Sequence, residues 1–337
     1  MAKSLAVFRF RGHHVEVTPY RLAEPPLFTR LRDATRVLIA GAGGGFDVYG
    51  GLPLAVALQA QGKTVHLANL SFSNLRRLAL HDWFAPGVAA IGPESAGNDD
   101  YFPERSLARW LASTGRDPLV YAFPKSGVRP LRAAYAALVE RLGIDTIVLV
   151  DGGTDILLRG DEAGLGTPQE DMTSLAAVAG LPDINRLVVS VGFGVDAYHG
   201  VCHAHVLENL AALQKQHAYL GALSIPAESP EGTAYFAAVV HALAETPLRP
   251  SIVHSQIASA LRGEFGDVHA TDRTSGTELF VNPLMAMYLS VDLPALARTV
   301  EYLPHLEPTE HAYQVAQLIE AHLTSRPEPR PAGFIPH

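Results

Sequence analysis

Thr35-Arg36-Val37-Leu38-Ile39-Ala40 runs directly into Gly41-Ala42-Gly43-Gly44-Gly45-Phe46-Asp47, and this junction decides the fold. The apolar run reads as a buried strand, and the glycines end it. Residues 48–61 then carry Leu52, Leu54, Ala55, Val56, Leu58 and Ala60 before Gly62, the pattern of a helix with a glycine beyond its C-terminus. Lys63-Thr64-Val65-His66-Leu67-Ala68-Asn69-Leu70 is a second buried strand. The segment is therefore a strand, glycine-rich loop, helix and strand in succession.

The alternation continues outward from this unit. Further strands are expected at 119–123, 146–151, 186–191 and 218–225, each apolar on nearly every residue, as strands covered on both sheet faces are. Helices are expected at 103–113, 130–142, 168–179, 199–216, 232–244 and 252–262, most with a Gly or Pro at one end. Parallel neighbours need helical crossovers, so the pattern predicts an α/β fold. It is Rossmann-like and doubly wound, with a mainly parallel sheet and helices on both faces. Residues 278–291 read as a β-rich excursion and 309–324 as a last amphipathic helix. One domain over 1–325 is expected, followed by a flexible Pro-rich tail at 326–337.

Composition narrows the function classes. The chain has 337 residues, 48% hydrophobic and 18% charged, which excludes disorder and coiled coil. Lys and Arg number 26 against 34 acids, a net charge of −8, and no basic run tracks a phosphate backbone. Nucleic acid is not an expected partner. The single cysteine, Cys202, rules out an intramolecular disulfide framework and a multi-cysteine metal site, and points to a reducing, cytoplasmic setting. The opening MAKSLAVFRFRGHH lacks the apolar core of a signal peptide, and no stretch approaches the roughly 20 apolar residues of a membrane span, so no membrane partner is expected. Self-association into a homo-oligomer is expected of an apolar chain of this size.

The glycine-rich turn lies where open α/β sheets bind ligands. Gly43, Gly44 and Gly45 let a ligand approach the backbone, and N–H groups at a helix start favour an anion. Read as a dinucleotide fingerprint the string fails: Phe46 stands where the last glycine belongs, and the second strand carries Asn69 where an acid would hold the ribose. Classical NAD binding is disfavoured. Asp47 is either a helix N-cap or a ligand-facing carboxylate. In the second case a bare phosphate would be repelled unless a metal lay between, and sugar hydroxyls would be better partners.

After the fourth strand, Val150-Asp151-Gly152-Gly153-Thr154-Asp155 leads through Arg159-Gly160-Asp161-Glu162 to Thr167-Pro168-Gln169-Glu170-Asp171. So many carboxylates at the ligand edge of a sheet are costly to order without a ligand, metal or cation. Asp151 and Asp155, flanking Gly152 and Gly153, are the candidate catalytic or hydroxyl-binding acids. Asp161 and Glu162 are either further ligand contacts or a solvated pair near Arg159. Thr167 to Glu170 reads as a capping box with proline in the first turn.

The next loop brings Asp196, His199 and His203. A helix starting near Tyr198 would put both imidazoles one turn apart, able to hold a divalent metal with Asp196. Alternatively His199 is simply a hydrogen-bonding or acid group beside the crevice. Cys202 has no base partner in sequence and reads as an inert thiol. Arg273 is the candidate cation for a ligand phosphate or carboxylate, against the plainer reading of a solvated turn.

Together the stretches GAGGGFDVYGGLPLA, VDGGTDILLRGDEAGLGTPQEDMTSLAAV and GVDAYHGVCHAHVLENLAAL resemble the family catalogued as domain of unknown function eleven-fifty-two. The resemblance implies a soluble, Rossmann-like prokaryotic protein and brings no assigned reaction. A looser similarity is to nucleotide N-ribohydrolases of the lysine-decarboxylase-like group, whose Pro-Gly-Gly-x-Gly-Thr-x-x-Glu loop is replaced here by Asp151-Gly152-Gly153-Thr154-Asp155. The expectation that follows is an enzyme hydrolysing or transferring a group on a nucleotide, nucleoside or phosphosugar. A divalent-metal hydrolase centred on Asp196, His199 and His203 is the second reading, and a non-catalytic small-molecule sensor the third.

Overall fold

The computed structural model describes residues 7–10, 13–16, 20–326 and 328–334. A small antiparallel pair, β1 (Val7–Phe10) and β2 (His13–Glu16), precedes the main sheet. That sheet has nine strands: β3 (Arg36–Gly41), β4 (Thr64–Ser71), β5 (Trp83–Ala85), β6 (Val88–Ile91), β7 (Val120–Pro124), β8 (Thr146–Asp151), β9 (Asn185–Val191), β10 (Tyr219–Ser224) and β11 (Met287–Asp292). Their order is β10-β11-β9-β8-β3-β4-β7-β6-β5. The five central strands, β9-β8-β3-β4-β7, are parallel, and the strands beyond them on both sides pair antiparallel.

The central strands are apolar throughout because alternate residues feed separate cores. Leu38, Ala40, Ile147, Leu149 and Val188 pack with Tyr135, Leu175 and Val178 on one face. Val37, Ile39, Val148, Val150 and Val189 pack with Leu58, Leu107 and Tyr235 on the other. Each such side chain contributes about 1.5–3 kcal/mol by leaving water. This burial makes a parallel sheet stable despite its long crossovers.

Helices Pro103–Ser113 and Pro168–Ala179 form where their prolines and apolar periodicity put them, and Val128–Leu142 ends at Gly143 in the left-handed conformation, φ 64°. The first helix differs from its expected course over 48–61. It breaks into Asp47–Gly50 and Leu52–Ala60, because Pro53 has no N–H to continue the ladder. Gly51, at the break, lies against β3, and a Cβ there would overlap Ile39 Cγ2. The expected helix over 199–216 also starts late, at His203, after a short 3-10 turn Val195–His199 that Gly200 ends at φ 84°.

Antiparallel strands β5 and β6 were not among the expected elements, and the excursion at 278–291 resolves into β11 plus a bridge between Gly266 and Val281. Among the described residues no helix is long and apolar enough to cross a membrane.

Gly51→Ala is expected to cost about 1–3 kcal/mol, because the added methyl must displace a β-branched side chain held by the sheet. Gly92→Ala, with nothing near the new Cβ, should change stability by less than about 0.5 kcal/mol. Urea denaturation of both variants checks the pair, and equal losses would refute tight strand–helix contact at Gly51.

Candidate functional site

The crossover from β3 leads to β4 on one side, whereas β8, its other neighbour, leads on to β9, so a crevice opens beyond the carboxyl ends of β3 and β8. Both loops singled out by the sequence end there. Gly41 is paired with Asn69 and Val150, and Asp151 with Ser190, which aligns the two loop starts with β4 and β9.

Asp47, Asp151 and Asp171 each offer a carboxylate oxygen within 4.8 Å of the others'. Asp151 closes β8, Asp47 opens the short helix after the glycine loop, and Asp171 comes from the first turn of Pro168–Ala179. Glycine makes their approach feasible. A Cβ at Gly43 would stand 2.8 Å from both Asp47 Oδ2 and Asp171 Oδ1, and one at Gly152 2.8 Å from Asp47 Oδ1. Asp47 Oδ2 accepts the Gly43 N–H at 2.7 Å, so the carboxylate faces the loop rather than capping a helix. Asp155 and Asp196 flank this group. Thr167 donates to Asp155 Oδ2 through its N–H at 2.8 Å and its hydroxyl at 3.2 Å, and the Thr154 N–H donates to Asp196 Oδ2 at 2.6 Å.

Asp151, Asp155, Asp171 and Asp196 are all buried. Burial pushes every one of these carboxyls up from the usual range, and the charges of neighbouring aspartates push Asp151, Asp171 and Asp196 further. Asp47 is pushed up to about 8 by the same desolvation, opposed by the N–H groups of Gly43, Gly152 and Gly44. The carboxyls therefore titrate as a set, each ionisation opposing the next. Asp151 Oδ2 and Asp171 Oδ1 are buried with no hydrogen-bond partner.

Two further groups complete the walls. His254, held neutral by burial with its pKa lowered to about 4, pairs through Nδ1 with the Tyr235 hydroxyl at 2.8 Å. Its Nε2 has no partner and lies 3.5 Å from the Cβ position of Gly152. Asn69 donates to the Gly45 carbonyl at 2.8 Å and to Glu104 Oε1 at 2.7 Å, so it buttresses the glycine loop from below. Over that loop stand Phe72, whose Cε1 lies 2.5 Å from a Cβ at Gly44, and the Tyr101 hydroxyl, 3.2 Å from one at Gly45.

The expected site residues thus divide. Gly43, Gly44, Gly45, Asp47, Asp151, Gly152, Gly153, Asp155 and Asp196 gather at the crevice. His199 is exposed, near enough for its charge to act on Asp155. The grouping of Asp196, His199 and His203 does not form: Gly200 separates the imidazoles, and His203 packs its ring on Phe193 while His199 sits in the preceding 3-10 turn. Thr167 makes no side-chain cap, contrary to the capping box expected of it, because its hydroxyl and N–H both go to Asp155.

Asp161 and Glu162 face the chain's own tail. Fully buried Glu162 accepts from the N–H groups of Arg159 and Gly160, from Asn209 at 2.7 Å and from Arg330 at 2.8 Å, and Asp161 pairs with Arg159 and Arg330. The segment expected as a loose arm is tied here, with the Pro331 carbonyl also held by His205 at 2.8 Å. Arg273 is exposed and donates to the Pro250 carbonyl at 2.7 Å.

Asp171 and His254 were not among the candidate residues. Each carries a signal in its helix: Asp171 shares the face of Ser174, Leu175 and Val178, and His254 that of Ile257, Ala258 and Leu261. An ionisable group on an apolar stripe is the mark of a group drawn inward for a purpose.

A model of the family described as Protein of unknown function (DUF1152) matches residues 83–325. No curated protein and no solved structure matches the chain.

Folding leaves the aspartate set holding protons that the unfolded chain has released, so its contribution to stability falls as pH rises from near 4 through about 8. His254 acts in the opposite sense, but only below its ordinary value near 6.5. Between pH 6.5 and 8 the aspartates govern, joined by buried Glu104, which desolvation pushes up to about 7 and which acts in the same direction. The Tm of chelator-treated protein should therefore fall over this interval, by about 2 °C for each kcal/mol of coupling, and a flat or rising Tm would refute the assignment. Separately, Arg330→Ala strands the buried Glu162 charge and should cost about 3 kcal/mol in denaturant titration.

Proposed function

The chain belongs to the DUF1152 family, and we propose that it is an enzyme acting on a nucleotide, nucleoside or phosphosugar, by hydrolysis or group transfer, at the carboxyl edge of the sheet. The observation that carries this reading is the convergence of Asp47, Asp151, Asp155, Asp171 and Asp196 with the glycine turns of two loops at the switch point. Carboxyl groups are the natural partners of sugar hydroxyls, and Asp47, pushed up to about 8, can both give and take a proton near neutrality. Asp151, desolvated and crowded by its neighbours, serves as proton donor or hydroxyl ligand. Asp155, fixed by its two bonds to Thr167, serves as the base. His199, in the turn after β9, acts on the Asp155 charge and serves the leaving-group side of the site in this reading.

The anionic end of such a ligand belongs at the rim rather than at the carboxylates. Lys125 lies 3.9 Å over the Phe72 ring that covers the glycine loop, and Arg249 and Arg273 act on Tyr101 beside it. A sugar in the crevice with its phosphate outward satisfies both regions. Asn69, which stands where a dinucleotide site would carry an acid, is engaged beneath the loop.

Native mass spectrometry of protein purified without chelator, followed by denaturation, identifies what is retained. A nucleotide-like or sugar phosphate mass is the expected result and sets the substrates to assay. Against those substrates Asp151→Asn and Asp155→Asn should each lower kcat at least about 100-fold with folding intact. Full turnover in both variants would remove the aspartates from the chemistry, and tight ligand retention without any turnover would make the protein a sensor.

A further inference from the structure

We infer that Asp47, Asp151 and Asp171 bind one divalent cation of the Mg2+ or Mn2+ class. Three side chains from three separate elements bring carboxylate oxygens within 4.8 Å of one another. Three oxygens sharing one ion at about 2.1 Å stand about 3.0–3.6 Å from one another, with about 4.2 Å possible only for a trans pair, so carboxylates already within 4.8 Å close around an ion by side-chain shifts of up to about 1 Å. An all-carboxylate set selects a hard cation over zinc or copper.

Observations beyond the acidity of the cluster point to a ligand. Asp151 Oδ2 and Asp171 Oδ1, in side chains only 3% and 2% exposed, make no hydrogen bond. On the far wall His254, 1% exposed, leaves Nε2 unpaired beside Gly152, against which Asp47 Oδ1 also lies. An unpaired buried polar atom is costly to hold, and several close together mark where a partner belongs. The absence of side chains at Gly43 and Gly152 keeps the space between the carboxylates open. No Lys or Arg is among the charges acting most strongly on these three acids, whereas the aspartates act on one another.

This site is distinct from the Asp196, His199 and His203 grouping, which the backbone separates. It deepens the proposed function and rests on that reading for its role alone: the ion leaves coordination positions open to a ligand's sugar hydroxyls. The cation itself requires only the three aspartates.

The test is calorimetric titration of chelator-treated, full-length protein with MnCl2 at pH 7 in two buffers of different ionisation enthalpy, alongside Tm. One Mn2+ per chain, a higher Tm and proton release on binding are expected, because carboxyls that hold protons must give them up to the ion. Asp171→Asn and Asp151→Asn should each weaken binding at least ~10-fold while raising the metal-free Tm, and Glu320→Gln, exposed on the last helix, should change neither. No binding up to ~1 mM Mn2+ in folded protein would overturn the inference, as would binding unchanged in both Asn variants. Mn2+ binding without nucleotide or sugar phosphate retention upholds the site and fails the substrate reading. Ligand retention with no Mn2+ binding does the reverse.

Discussion

Repulsion among buried carboxylates sets the terms for everything at the carboxyl edge of this sheet. Asp151, Asp155, Asp171 and Asp196 are held out of water within reach of one another's charge, with Asp47 completing the set. Such an arrangement opposes folding, so the scaffold must be stable enough to impose it. The two apolar cores provide that stability, and the strand ends provide position. Asp151 is the last residue of β8, carried by a strand buried on both faces, and it cannot relax away from Asp171 without disturbing the sheet.

The glycine loop plays a different part from the one its composition suggests. In a phosphate-cradling turn the amides point at the ligand. Here the Gly43 N–H is given to Asp47, and the Gly44 and Gly152 amides favour the same carboxylate. The positive end of the turn therefore stabilises an acid of the protein's own and makes Asp47 easier to ionise than its burial alone would allow. Asn69 follows from the same plan: it stands where a ribose-binding acid would be and instead ties Gly45 to Glu104, fixing the loop that presents Asp47.

Much of this was legible in the sequence. β3, the glycine loop and β4 could be read because a strand buried on both faces is continuously apolar and glycines punctuate it. The parallel core followed from helices separating the strands. The short strands β5 and β6 were not legible, since three or four residues carry too little periodicity to distinguish a strand from a loop. The supposed pairing of His199 with His203 failed for a local reason: spacing implies a shared helix face only if the helix is continuous, and Gly200 at φ 84° interrupts it. Glu162 could not have been placed, because its partner Arg330 lies 168 residues away.

Asp171 shows why acids distributed along a chain form a site that spacing does not reveal. Next to Glu170 in a helix's first turn, it has the simplest of explanations, a charge favoured by the helix dipole. Glu170 fits that description and pairs at the surface with Lys125, whereas Asp171 turns to the sheet. The two differ by one position, about 100° around the helix, and that rotation separates a solvated ion pair from a buried carboxylate facing Asp151. The decisive information is therefore the phase of the helix, fixed by Leu175 and Val178 packing against the strands. A polar residue in phase with those apolar anchors enters the interior with them, and at this end of the helix the interior is the crevice.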